Sequence, residues 1–199
     1  MTIYDLKPAF QNLLRPLCRS LARAGVSANQ VTVAALLGSL MVGLLFALYP
    51  QSAWAAFLVP IWLFLRMALN AIDGMLAREH DMKTALGGIL NELGDVFSDA
   101  ALYLPFALVP GISPPVVVIV VVLAVFTEMA GVVAVQIGAS RRYDGPMGKS
   151  DRAFAFGLLA FLLGIGLGPG WWANAGLILV GLLSVWTIGN RAARALKER

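Results

Sequence analysis

Six apolar segments, each about 20 residues long, follow one another between Asn29 and Asn190 with only short connections. A helix of that length crosses the roughly 30 Å hydrocarbon core of a bilayer. In that core every backbone amide must be satisfied within its own segment. The expected boundaries are Asn29 to Tyr49, Ala53 to Arg78, Thr84 to Pro105–Pro110, Pro115 to Gly138, Arg152 to Leu167, and Trp172 to Asn190. The chain is 59% hydrophobic and 13% charged, against about a quarter charged in a soluble domain. The predicted fold is an all-α integral membrane bundle of six transmembrane helices preceded by an amphipathic juxtamembrane helix. It forms a single domain over residues 1–199, with the surface helix in 1–28, the spans in 29–190 and a cytoplasmic tail in 191–199.

The residues ahead of the first span lack the layout of a cleavable signal, because Lys7, Arg15, Arg19 and Arg23 are followed by no short apolar core with small residues behind it. Phe10, Leu13, Leu14, Leu17 and Leu21 recur at helical spacing with the arginines between them. That pattern predicts a helix lying along the membrane surface; a plain cytosolic extension of the first span is the alternative. Further basic residues fall at Arg78 and Lys83, in Arg141–Arg152 and in Arg191–Arg199, whereas the connections around Pro50, Pro110 and Pro169 carry no charge. The asymmetry places both termini and two loops in the cytoplasm, with Trp54, Trp171 and Trp172 at the outer interface. The expected location is therefore the inner (cytoplasmic) membrane, multi-pass. A net charge of +4 arranged this way reflects topology and membrane-lipid contact, so no nucleic-acid partner is expected. Cys18 is the one cysteine, which excludes an intramolecular disulfide.

Ionisable groups within a membrane are expensive and tend to be functional. Here the spans carry Arg66, Asn70, Asp73, Asn91, Glu92, Asp95, Asp99 and Glu128. Asn70, Asp73, Gly74, Ala77 and Arg78 share one helix face; Gly87, Asn91, Asp95 and Asp99 step by four along the next span. The two spans are expected to be antiparallel neighbours. Asp73 then lies about 8 Å and Asp95 about 16 Å from the cytoplasmic ends of their helices. Facing carboxylates and amides beside small residues suit a hard divalent cation bridging protein oxygens to a phosphate-bearing substrate. A structural polar network joining two helices is the other reading of these residues. Arg66 needs an anionic partner, with Asp99 and Glu128 at comparable depth; alternatively these groups line a substrate pocket.

The run Asn70-x-x-Asp73-Gly74-x-x-Ala77-Arg78, an eight-residue gap, then Gly87-x-x-x-Asn91-x-x-x-Asp95 resembles the signature of the CDP-alcohol phosphatidyltransferase family. That signature is D-x-x-D-G-x-x-A-R followed by G-x-x-x-D-x-x-x-D, and both departures are Asp to Asn. The stretch Gly25 to Thr32 leading into the first span, the chain length and the six-helix layout are also similar. The resemblance implies transfer of a phosphatidyl-type group from a CDP-activated lipid to an alcohol acceptor, with Mg²⁺ or Mn²⁺ and release of CMP. It implies that Asn70, Asp73, Asn91 and Asp95 stand at metal positions and that Asp95 is the general base. It further implies that Asp73, Gly74, Ala77 and Arg78 receive the nucleotide end of the donor, and that the chain forms a homodimer. A non-catalytic member that binds CDP-lipid or a membrane partner is the alternative. Arg141, Arg142, Lys149 and Arg152, in the loop before the fifth span, are candidate contacts for an acceptor phosphate or else plain positive-inside charge.

Overall fold

The structure, a computed structural model, describes residues 3–199, with side chains from residue 9 onward; Lys7 therefore lies outside the described side chains. Among the described residues seven α-helices form: α1 (Ile3–Arg23), α2 (Ala28–Leu48), α3 (Ala53–Glu79), α4 (Ala85–Tyr103), α5 (Pro114–Gln136), α6 (Lys149–Gly164) and α7 (Trp171–Glu198), with a 3₁₀ turn at Leu104–Leu108 after α4. The fold is all-α. Helices α2, α3, α5 and α7 are long and apolar enough to cross a membrane. The apolar run of helix α4 is broken by Glu92, Asp95 and Asp99, although the helix itself is continuous, and α6 has only 16 residues.

Local chemistry sets the ends. Ser27 caps α2 by accepting from the Gln30 amide, and the Gln30 side chain returns a bond to the Ser27 amide. Thr84 caps α4 through the Gly87 amide at 2.9 Å. Asp151 accepts from the Gly148 amide at 2.9 Å, so α6 begins at Lys149 rather than at the expected Arg152. No breaker stands at Asn190, and α7 runs on to Glu198; the expected tail over 191–199 is mostly the last turns of this helix.

The six long helices pack in the order α6–α3–α2–α4–α5–α7, and α7 touches α6 to close the ring. Helix α1 rests on α3, where Cys18 is buried with Val31, Ile72, Met75 and Leu76 while Leu13 and Leu17 stay exposed. One sequence expectation is corrected here. Helices α3 and α4 are not packed neighbours; α2 packs against both. Small residues allow it to do so. A Cβ at Gly43 would lie 2.1 Å from the Ala101 carbonyl oxygen of α4, and one at Gly38 would lie 2.1 Å from the Trp62 ring of α3. The Trp62 indole then donates to Ser39 at 2.9 Å. The main apolar core, centred on Phe46, Tyr103, Phe106 and Phe156, fills the half of the bundle away from the basic residues.

Gly43→Leu should therefore wedge α2 from α4. Overpacking of this kind costs about 1–3 kcal/mol and should appear as an earlier thermal unfolding midpoint of detergent-solubilised protein, whereas Gly88→Leu, with open space around its Cα, should leave the midpoint nearly unchanged.

Candidate functional site at the basic end of the bundle

With α2 wedged behind them, α3 and α4 communicate through long polar side chains. Asp95 on α4 is the meeting point. Its Oδ1 accepts from Asn70 Nδ2 at 3.3 Å and from Arg66 Nη2 at 3.3 Å, and the Lys149 ammonium from the first turn of α6 contacts the same oxygen. No side chain among the described residues bonds Oδ2 of Asp95. Asp73, one turn along α3 from Asn70, is buried, and its Oδ2 lies 2.9 Å from the Thr32 hydroxyl of α2. Thr32 sits in the stretch that the resemblance quotes, but nothing in its residue type marks it as a partner of Asp73.

Of the four expected metal positions, the structure joins Asn70 to Asp95 directly and seats Asp73 on the same face of α3 as Asn70. Asn91 is exposed one turn from Asp95 and makes no side-chain hydrogen bond among the described residues. Gly74 leaves room for Arg78, whose guanidinium lies 2.9 Å from where a Cβ would stand, while Arg78 itself is exposed at the mouth. Ala77 packs toward the apolar cluster beneath α1. Gly87 admits the Asn29 side chain, 2.6 Å from a would-be Cβ, and Asn29 donates to Thr84 at 3.3 Å.

Beside Asp95 a cavity of about 500 Å³ opens on the flank of the bundle between α3 and α6. Its body is apolar, lined by Leu63, Phe64, Met67, Phe154, Leu158 and Phe161. Its polar end consists of Arg66, Asn70, Lys149 and Ser150. Three of those four side chains are the ones that hold Asp95.

Behind the site runs a chain of buried ion pairs. Arg66 Nη1 binds Asp99 Oδ1 at 2.6 Å, Arg152 Nη2 binds Asp99 Oδ2 at 3.2 Å, and the same nitrogen binds Glu128 Oε1 at 2.9 Å. Glu128 also takes Arg141 at 3.0 Å and Arg191 at 3.5 Å. Arg141 pairs Glu92 as well, at 2.8 Å, and reaches α5 only because residue 131 is glycine: a Cβ there would sit 1.7 Å from its guanidinium. Arg66 thus has the anionic partner the sequence demanded. The candidate acceptor contacts divide. Lys149 faces the cavity, whereas Arg152 is fully buried, Arg141 is bound to Glu92 and Glu128, and Arg142 is bound to Asp144 and Glu198. Arg191, one of the basic residues that positive-inside topology accounts for in sequence, is 1% exposed and belongs to the network through Glu128.

The profile of the CDP-alcohol phosphatidyltransferase family matches residues 26–188. Inner membrane protein YnbA of Escherichia coli (strain K12) is 47% identical over 198 residues, covering 98% of this chain and 97% of that one. A phosphatidylinositol phosphate synthase of Mycobacterium tuberculosis (strain ATCC 25618 / H37Rv) is 29% identical over 97 residues, 49% of this chain and 43% of the synthase. The crystal structure of the Mycobacterium tuberculosis phosphatidylinositol phosphate synthase PgsA1 with CDP-DAG bound superposes with a TM-score of 0.75 at 22% identity, covering 90% of this chain and 92% of that one. The same synthase in complex with manganese and citrate gives 0.75 at 23% identity, over 91% and 88%. At such identities the structural likeness establishes a shared fold.

Two outcomes follow from the ion pairs. Arg152→Met leaves Asp99 and Glu128 each short of a buried partner, a loss of about 3–5 kcal/mol that thermal unfolding in detergent should register. In the α5–α6 loop, partial burial pushes the Asp144 carboxyl up, but hydrogen bonds from Arg142 and Arg194 outweigh it and hold it below the usual range. This pairing contributes its full stability above the ordinary Asp value of about 3.9 and loses it as pH falls through the lowered one. Hydrogen exchange in residues 139–148 should therefore accelerate below about pH 4 relative to the body of α5.

Proposed function

The chain belongs to the CDP-alcohol phosphatidyltransferase family, and from that premise we propose that it is a membrane enzyme transferring a phosphatidyl-type group from a CDP-activated lipid to an alcohol, with release of CMP. The observation that carries this reading is the coincidence of Asp95 with the polar end of the flank cavity. The side chains that orient the carboxylate also line a slot suited to lipid acyl chains. A lipid entering sideways from the bilayer would lay its apolar part along Phe64, Leu158 and Phe161 and bring its head to Asn70 and Lys149. In this reading all six long helices cross the membrane with both termini cytoplasmic, α4 extended by its 3₁₀ turn, and the site faces the cytoplasm.

Asp95 is the general base. Two hydrogen-bond donors and the Lys149 ammonium converge on its Oδ1, leaving Oδ2 to take the proton of the acceptor hydroxyl. The freed acceptor oxygen bonds to the β-phosphorus that carries the lipid, the bond from that phosphorus to the bridging oxygen breaks, and CMP departs with its electron pair. Lys149 lies where it can attract the phosphate charge at the cavity mouth, and Arg78 is free to swing from Gly74 toward the nucleotide. The donor set fits a hard cation at Asp73, whose Oδ1 has no side-chain partner among the described residues, with amide oxygen from Asn70 or Asn91. Such an ion, Mg²⁺ or Mn²⁺, would neutralise diphosphate charge. The described residues hold no group of three or more His, Cys, Asp or Glu side chains placed for a metal ion.

The two asparagines favour one competing reading, a protein that binds CDP-lipid without turning it over. Purified protein given CDP-diacylglycerol, Mn²⁺ and a panel of alcohols separates the two: CMP release supports the enzyme, and saturable binding without release across the panel supports the binder. Asp95→Asn should lower CMP release by ~10²–10⁴ with CDP-lipid binding largely kept. Asp73→Ala should abolish divalent-ion-dependent nucleotide binding. Full transfer by Asp95→Asn removes Asp95 from the mechanism.

A further inference from the structure

The geometry points to Lys149 as a built-in cation that stands at Asp95 in place of a second divalent ion, so that the site takes a single divalent ion at Asp73. This deepens the proposed transferase reading and rests on it. Three features of the chain bear on the assignment. The Lys149 ammonium contacts Asp95 Oδ1, and the Arg66 guanidinium lies 3.3 Å from the same oxygen. Two positive groups therefore already flank this carboxylate, and a divalent cation sharing it would be forced close to both.

Asn70 turns its amide nitrogen to Asp95 Oδ1 at 3.3 Å. An amide can donate that bond; a carboxylate at residue 70 would confront Asp95 as a second anion and would need a cation between them. Asn70 is thus matched to a site in which the neutralising charge comes from elsewhere on the chain. The third feature is the balance of charge. Asp73 and Asp95 bring two negative charges, the amides of Asn70 and Asn91 bring none, Arg66 is matched by Asp99, and Lys149 cancels one. What remains suits one divalent ion shared with a diphosphate, and not two.

Lys149 can hold this place because of where α6 starts. Asp151 and the Gly148 amide set the first turn at residue 149, and Arg152, anchored to Asp99 and Glu128, fixes the rotation of that turn. The ammonium is delivered to Asp95 while remaining partly accessible on the cavity side, its side chain 30% exposed. A lysine three residues from a fully buried arginine is held by the framework without being part of it.

The test is ion stoichiometry, read by the electron paramagnetic resonance of free Mn²⁺ in titrations of detergent-solubilised protein saturated with CDP-diacylglycerol. Wild type should bind about one Mn²⁺ per chain. Asn70→Asp with Asn91→Asp should still bind about one, because Lys149 remains; adding Lys149→Met to that pair should admit a second. Adding Lys149→Arg instead should not. Two tight ions in the wild type, a second ion in the double variant as readily as in the Lys149→Met triple, or a single ion in that triple would each overturn the inference. Each protein is compared by gel filtration, and Lys149→Gln in the double background replaces the Met variant should the latter fail to fold. The outcome separates from the functional reading: one ion without CMP release defeats the transferase and spares Lys149, whereas CMP release with two ions does the reverse.

Discussion

Asp99 is bound on both oxygens by arginines from two different helices, and the rest of the polar interior hangs from that arrangement. An ion buried away from water is destabilising by several kcal/mol unless its partners are complete. Here each anion in the chain from Arg66 through Asp99, Arg152 and Glu128 has at least two cationic neighbours. The pairs draw α3, α4, α5, α6 and α7 together at one level. They span a gap between α3 and α4 that backbone packing does not close, because α2 occupies the space behind. Apolar packing holds the far half of the bundle, where Tyr103 stacks on Phe156 at 4.0 Å. Directional charge pairs hold the near half, where a dry seam would leave no room for a substrate.

This division decides which cations are left for chemistry. A guanidinium fits a carboxylate bidentately and stays charged in any environment, which suits Arg66, Arg141 and Arg152 to permanent places in a framework. Lys149 is a compact charge on a flexible stem, at the open end of the network and on the cavity wall. The loop that carries it is tied down by Arg142 and Arg194 through Asp144, and by Glu198 accepting from Ser140. Gly145, at φ +117°, lets this loop lie against Thr187 of α7. The extra helical turns of α7, beyond the expected end at Asn190, carry Arg191 and Arg194 to Asp144 and Glu198 to Ser140.

The all-α bundle was legible in the sequence because long apolar segments must satisfy their backbone groups as helices; helix starts at Ala28, Ala53 and Pro114 fall within a residue of expectation, and four of the six expected spans are long and apolar enough to cross a membrane. The face holding Asn70 and Asp73 was equally plain from helical spacing. What could not be read was adjacency. The short turn between the second and third spans predicts that they pack as neighbours, but the insertion of α2 depends on Gly38 and Gly43 meeting particular groups on other helices, and a glycine in an apolar run carries no signal of what approaches it. The loop arginines are ambiguous in sequence for a related reason: positive-inside charge and a buried ion network draw on the same residue types, and only the positions of Glu92, Asp99 and Glu128 in space distinguish them.

Asn70 shows how a motif position can be kept while the hydrogen bond made there differs. Residue 70 stands where a metal-binding carboxylate is expected, and the helix delivers it to the right place, beside Asp95. Its chemistry there is different, because an amide has a donor end and turns it toward the anion it meets. Position is set by helical periodicity and packing; role is set by which atom the side chain presents and which charges already surround it. At Asp95 those surroundings are a lysine, an arginine and an amide. A carboxylate so held is oriented by its own protein and keeps one oxygen open, which is the arrangement the proposed general base requires.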